Sequence, residues 1–174
     1  MGVLSAAWPD LDSLSYYVYI HCMDKDERSL QEACSRVVAE CACEGLRRTA
    51  RAVTQHYEDA LAPSGLRATQ FPIVVALASA GPLPVTRLAQ ALGLDRTTLT
   101  RNMRALLDQG LIAVADGKDR RTRVVALTPE GRSTLTEALG MWEQAQASVE
   151  ERFGHGPLRG LHGELSRLTD IVRA

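Results

Sequence analysis

The sequence predicts a mainly α-helical protein with one small antiparallel β wing. The arrangement is a winged helix-turn-helix, with terminal helices expected to join two copies into a homodimer. Three observations predict it. Residues 84–132 hold two short helical patterns joined at Gly93 and followed at once by a basic hairpin. Leu111 to Ala115 and Arg123 to Leu127, rich in Val and Ile, read as the two strands of that hairpin. Elsewhere Ala and Leu dominate, and apolar residues recur at helical steps. With 174 residues, 45% of them apolar, the chain is long enough to bury a core, and its length suits one domain.

Residues 1–25 stand apart as an N-terminal arm. They hold three of the four Tyr and one of the two Trp, without a clear period. Met23 leads into DKDERSLQEA, which reads like an ordinary bacterial start. Natural translation is expected to begin at Met23; the alternative is an arm that packs on a partner subunit.

Residues 26–62 read as dimerisation helices. Leu30, Cys34, Val37 and Cys41 recur at helical steps, and Cys43, Leu46, Ala50, Val53 and Tyr57 form a second stripe. Pro63-Ser64-Gly65 breaks the chain. Residues 66–128 read as the winged helix-turn-helix. Thr69 is placed to cap a helix that buries Phe71, Val74, Val75 and Leu77, and Gly81-Pro82 ends it. Val85, Leu88, Ala89 and Leu92 share one face of the next helix. Gly93 supplies the left-handed backbone that stops it. Leu94 can plug the angle between the two helices. Asp95 then stands where an N-cap belongs. The helix from Arg96 to Gln109 turns Leu99, Met103, Leu106 and Leu107 inward, and Gly110 ends it. Between the strands, Asp116-Gly117 is a turn signal.

Residues 129–174 read as C-terminal dimerisation helices. Thr128-Pro129-Glu130-Gly131 is a helix start, with Thr as N-cap and Pro in the first turn. Gly154-His155-Gly156-Pro157 separates two helices. In the second, Leu158, Leu161, Leu165, Leu168 and Val172 follow at alternating steps of three and four. Such a narrow seam needs a partner helix, expected from a second copy, with packing inside one subunit as the alternative.

The DNA-binding candidates follow from chemistry. Arg96, Thr97, Thr98, Thr100, Arg101 and Arg104 crowd the start of the second helix. Thr hydroxyls can meet phosphate or base, and the Arg fork matches guanine O6/N7 or a phosphate. Lys118, Arg120, Arg121 and Arg123 form the hairpin tip, where an Arg can enter a narrow minor groove. Asp119, which DNA would repel, is expected to pair with a neighbouring Arg and hold the wing's shape. Residues 84–132 carry nine basic and five acidic side chains, a local excess of +4 in a chain of net charge −1. That balance suits a site-directed DNA binder better than a general polyanion coat. The other reading of these charges is a solvated helix face.

These residues reach a known pattern. From roughly Cys41 to Val172 the chain resembles the MarR family of bacterial winged-helix regulators. Asp116, Asp119, Arg121, Leu127-Thr128 and Gly131 match its D-x-x-D-x-R…L-T-x-x-G wing. Residues 94–102 look like its recognition helix, and residues 66–71 look like the start of its second helix. The resemblance implies a homodimer with intertwined terminal helices on a pseudo-palindromic double-stranded operator. It implies a repressor released by a small molecule or by thiol chemistry. It also implies an effector pocket between the dimer helices and the winged domain, for which Arg48, His56, Tyr57 and Phe71 are candidates. Each of these four has an ordinary packing or surface role as its competing reading.

Cys34, Cys41 and Cys43 form a candidate thiol sensor, with small buried apolar residues as the alternative. Cys41-Ala42-Cys43 resembles a metal clip, but residues two apart on a helix point about 200° apart, and no C-x-x-C pair is present. No metal and no cofactor is expected. An enzyme with a Cys nucleophile is disfavoured, because the four His are scattered and no phosphate loop, H-E-x-x-H or G-x-S-x-G occurs. A winged helix used only for protein contacts would not need the excess of Arg and Thr. No apolar run approaches about 18 residues and no signal peptide is evident, so a cytoplasmic protein without a membrane partner is expected.

Overall fold

The structure is a computed structural model that describes residues 25–117 and 122–173. The N-terminal arm with Met23, and the wing tip with Lys118, Asp119, Arg120 and Arg121, lie outside the described residues.

Helices α1 (Lys25–Glu40) and α2 (Ala42–Leu61) come first, and one turn of 3-10 helix at Ala62–Ser64 follows. Then come α3 (Phe71–Ala80), β1 (Leu83–Pro84), α4 (Val85–Leu92) and α5 (Arg96–Asp108). Strands β2 (Ile112–Asp116) and β3 (Arg123–Leu127) form the wing, and α6 (Pro129–Phe153) and α7 (His155–Arg173) close the chain. Two compact units divide within α2, between Ala50 and Arg51. No described helix is long and apolar enough to cross a membrane.

The first unit's described part is helical and open. Leu30 is 65% exposed and Val37 is also exposed. The helical bonding runs on through the join: the Cys41 N–H donates to the Val37 carbonyl and the Gly45 N–H to the Cys41 carbonyl, both at 3.0 Å.

The second unit holds the core. Leu61, Leu66, Ile73, Leu77, Leu88, Leu99 and Leu106 are fully buried around α3, the most apolar helix. The sheet has the order β1-β3-β2, all antiparallel, with Leu83 opposite Val125 and Val114 opposite Val125 on the other side. Val125 is therefore central and fully buried. Strand β1 is absent from the sequence reading because two residues ending in Pro give no periodicity. β2 also begins one residue later than expected.

Three other expectations change. Thr69 does not cap α3: Gln70 is the N-cap residue and makes no side-chain cap bond. Instead the Gln70 side chain, 3% exposed, accepts from the Arg67 N–H at 2.9 Å and closes the turn before the helix. Val75 is half-buried rather than buried. Leu107 is exposed at 39%, because it stands about 80° around the helix from Leu99, at the edge of the packed stripe of Leu99, Met103 and Leu106.

Both expected caps form. Asp95 Oδ1 accepts from the Thr98 N–H at 2.9 Å. Thr128 Oγ1 accepts from the Gly131 N–H at 3.0 Å, and its proton lies between the carbonyls of Gly110 at 2.8 Å and Leu111 at 3.0 Å. Thr128 thus starts α6 while tying it to the end of α5. Gly93 has φ +63 and its N–H meets the carbonyls of Ala89 and Gln90, so α4 stops in the left-handed turn that positions Asp95.

Candidate nucleic-acid interface

The interface is built on α5. Its inner stripe of Leu99, Met103 and Leu106 is buried, which leaves Thr97, Arg101 and Arg104 exposed. Asp95 fixes where the helix begins. The Thr98 hydroxyl donates to Asp95 Oδ2 at 2.6 Å and the Thr98 N–H to Oδ1, and these bonds hold the Asp95 carboxyl below the usual carboxylate range.

The hydroxyls are not equivalent. The Thr98 proton is engaged by the cap, and Thr100 Oγ1 donates to the Arg96 carbonyl at 2.7 Å, one turn back along the helix. Both can still accept, but neither offers a free donor to a phosphate in this arrangement. Thr97 lies exposed among the arginines.

Arg96 and Thr100 also face a different way from Arg101. They line a cleft of about 320 Å³ with Met103, Val114 of β2 and Arg123 of β3, closed by the start of α4. Two guanidiniums thus flank an apolar floor. Arg123 sits opposite Asp116 in the hairpin register, at 4.0 Å and with both side chains well exposed, so the pair contributes little to stability. The expected partner Arg for Asp119, and the tip cations Lys118, Arg120 and Arg121, lie outside the described residues.

One contact was missed in the sequence. Thr69 Oγ1 donates to Asn102 Oδ1 at 3.2 Å and joins the turn before α3 to the flank of α5. A polar residue beside an apolar stripe was the available signal.

Three of the four effector candidates, His56, Tyr57 and Phe71, are already engaged. His56 Nε2 lies 3.2 Å from the Ala145 carbonyl, and the Tyr57 hydroxyl donates to Gln146 Oε1 at 2.5 Å. Burial, then the nearby Glu150 carboxylate, pushes the Tyr57 phenol up. Gln146 donates onward to Glu150 at 2.9 Å, and Glu150 meets His155 Nδ1 at 2.9 Å. These partners, Gln146 first, hold the Glu150 carboxyl below its usual range. Phe71 is buried and stacks near Trp142 at a centroid distance of 6.4 Å. Arg48 is exposed on α2 in the first unit.

Cys34 and Cys43 are exposed and Cys41 is half-buried, all three as free thiols. Among the described residues no group of three His, Cys, Asp or Glu side chains gathers as a metal site.

Comparison with known proteins gives concordant matches. A family profile described as MarR family matches residues 64–122. The crystal structure of the Mycobacterium tuberculosis transcriptional regulator MosR in complex with DNA is 36% identical. It covers 78% of this chain and 100% of that one, with a TM-score of 0.69. The multiple antibiotic resistance protein MarR of Salmonella typhimurium is 30% identical over 108 residues, which span 62% of this chain and 65% of that protein. An uncharacterized HTH-type transcriptional regulator of Bacillus subtilis, YwoH, is 26% identical over 92 residues, 53% of this chain and 67% of its own.

Proposed function

The chain belongs to the MarR family of transcriptional regulators, and from that premise we propose that it is a homodimeric repressor of a pseudo-palindromic DNA operator, released by a small molecule. The outer face of α5 carries this reading: Thr97, Arg101 and Arg104 stand exposed on a helix whose start is fixed by the Asp95 cap. Two such helices meet successive major grooves when a dimer spaces them about 34–36 Å apart. In this reading residues 66–128 bind DNA, and residues 26–62 and 129–174 hold the two copies together. Arg101 and Arg104 read base or phosphate, Arg96, Thr98 and Thr100 flank them, and Lys118, Arg120, Arg121 and Arg123 place the wing.

The M. tuberculosis relative, solved in complex with DNA, supports the reading of this chain as a DNA binder. For release, the cleft between α5 and the wing offers suitable chemistry. Its paired guanidiniums over an apolar floor suit a small acidic amphipathic ligand. A ligand there would compete with DNA for Arg96 and Arg123. His56, Tyr57 and Phe71 have packing partners that a ligand would first have to displace.

Substitution tests the DNA reading. Arg101→Ala is expected to weaken binding to a duplex selected by the full-length protein by about 1–3 kcal/mol and to relax one base position. Wild-type affinity and unchanged base preference, measured by competition against single-position variants of the duplex, would remove α5 from the role of reader.

A second reading rests on the exposed free thiols of Cys34 and Cys43. Helical bonding continues through Cys41 and keeps Cys41 and Cys43 about 200° apart, so in this reading thiols meet between two copies. Peroxide can then oxidise two such thiols to a disulfide, itself reduced to water or an alcohol. Mild peroxide is expected to consume two thiols and to weaken DNA binding, both restored by a dithiol. Oxidised protein that binds DNA as before removes this reading.

A further inference from the structure

We infer that Asn102 is a phosphate-contacting donor on the flank of α5 and that Thr69 is the residue that aims it. The inference rests on the reading of α5 as the DNA-binding helix. Asn102 is half-buried, one position beyond the exposed Arg101. At about 100° per residue it lies about 100° around the helix from Arg101, on the side facing the turn before α3. Its Oδ1 accepts from Thr69 Oγ1 at 3.2 Å.

Thr69 is itself held firmly. The Gln70 and Phe71 N–H groups both donate to the Arg67 carbonyl, at 2.9 and 3.0 Å. The buried Gln70 side chain accepts from Arg67 N–H at 2.9 Å, and the Glu58 carboxylate accepts from Ala68 N–H at 2.7 Å. Four bonds thus fix a turn of four residues, and that turn fixes the Asn102 amide.

The consequence is chemical. An Asn reads adenine by presenting donor and acceptor together to N7 and N6. Here the acceptor faces Thr69, so what remains for DNA is the two Nδ2 protons. A donor alone suits an acceptor that every sequence offers, and the wall of the groove beside a bound helix is phosphate. Asn102 therefore contributes affinity and register rather than base choice, and it holds α5 to α3 at the same time.

Asn102→Asp separates these roles. The carboxylate still accepts from Thr69, so the helix–turn contact survives, while the donor is replaced by a negative charge. The probes are a duplex selected from a random pool by the full-length protein and an unselected duplex of equal length. Asn102→Ala is expected to lose roughly ten-fold in affinity for both duplexes, with unchanged salt dependence. Asn102→Asp should lose more, and its deficit should shrink as salt screens the carboxylate from phosphate. Thr69→Val should lose less than either, because a freed amide can still donate after it rotates. A deficit confined to the selected duplex, or an Asn102→Asp deficit indifferent to salt, overturns the phosphate role. Wild-type binding by Asn102→Ala does so as well. Failure of the wild-type protein to select any duplex would instead strike at the DNA reading itself.

Discussion

Gly131→Ala is expected to destabilise the protein by about 3 kcal/mol or more, which for a chain of this size lowers the melting temperature by roughly 10 °C. A Cβ at this position would overlap the Leu111 carbonyl oxygen and stand 2.7 Å from Leu127 Cδ1. The carbonyl cannot easily retreat, because it accepts from the Thr128 N–H at 3.1 Å and lies 3.0 Å from the Thr128 hydroxyl. Moving α6 instead would break the Gly131 N–H to Thr128 cap. The substitution thus strikes the one point where the end of α5, the last residue of β3 and the start of α6 meet. Gly140→Ala is the matched control: it lies in the same helix with no atom within 4 Å of its would-be Cβ. There the change should be neutral or stabilising by up to about 1 kcal/mol. Denaturant unfolding of both variants decides the matter, and a Gly131→Ala protein within about 0.5 kcal/mol of wild type, the range of an ordinary surface change, would show that the close approach does not exist.

Gly131 also marks the boundary of what the sequence discloses. The Asp95 and Thr128 caps are legible because a cap joins a side chain to a backbone group three residues on. The engaged hydroxyls of Thr98 and Thr100 follow similarly local rules, cap and one-turn-back bonding, and a closer reading would have found them. The Gly131 approach is of another kind. It depends on Leu111, twenty residues earlier, and no periodicity reports it. Leu107 fails because it is about 80° around the helix from Leu99, at the edge of the stripe, while its neighbour Leu106 in the same turn is fully buried. Thr69 looked like a cap because Thr before an apolar run usually is one. Its partner, Asn102, lies on another helix, and pairings between helices leave no mark in spacing. The cleft between α5 and the wing joins residues from both sides of the hairpin in the same way. Local chemistry was therefore readable, and the assembled site was not.

On the proposed homodimer, Leu165→Asp is expected to convert dimer to monomer and, through that, to abolish tight operator binding. The stripe of Leu158, Leu161, Leu165, Leu168 and Val172 is real in its spacing; Leu158 and Leu168 are half-buried in the single chain and the other three are exposed. Leu161 and Leu165 are each 38% exposed, Val172 is 73% exposed, and no residue of the 19-residue α7 is buried. A helix with an apolar seam left in water calls for a partner, and residues at steps of three and four fit the seam of a paired helix. Burying a Leu side chain is worth about 1.5–3 kcal/mol, and Asp forfeits that while bringing an unpaired charge to the seam. In a two-fold dimer the change occurs twice, so both copies contribute to the loss. Because α7 carries no core residue of its own chain, the monomer should stay folded. Its helical content and unfolding midpoint at low concentration should match those of diluted wild type. Leu165→Met, similar in volume and apolar, should remain dimeric. Sedimentation gives the direct answer. A Leu165→Asp protein that still sediments as a dimer would place the interface elsewhere. A monomer that still binds the selected duplex with wild-type affinity would separate DNA reading from dimerisation altogether.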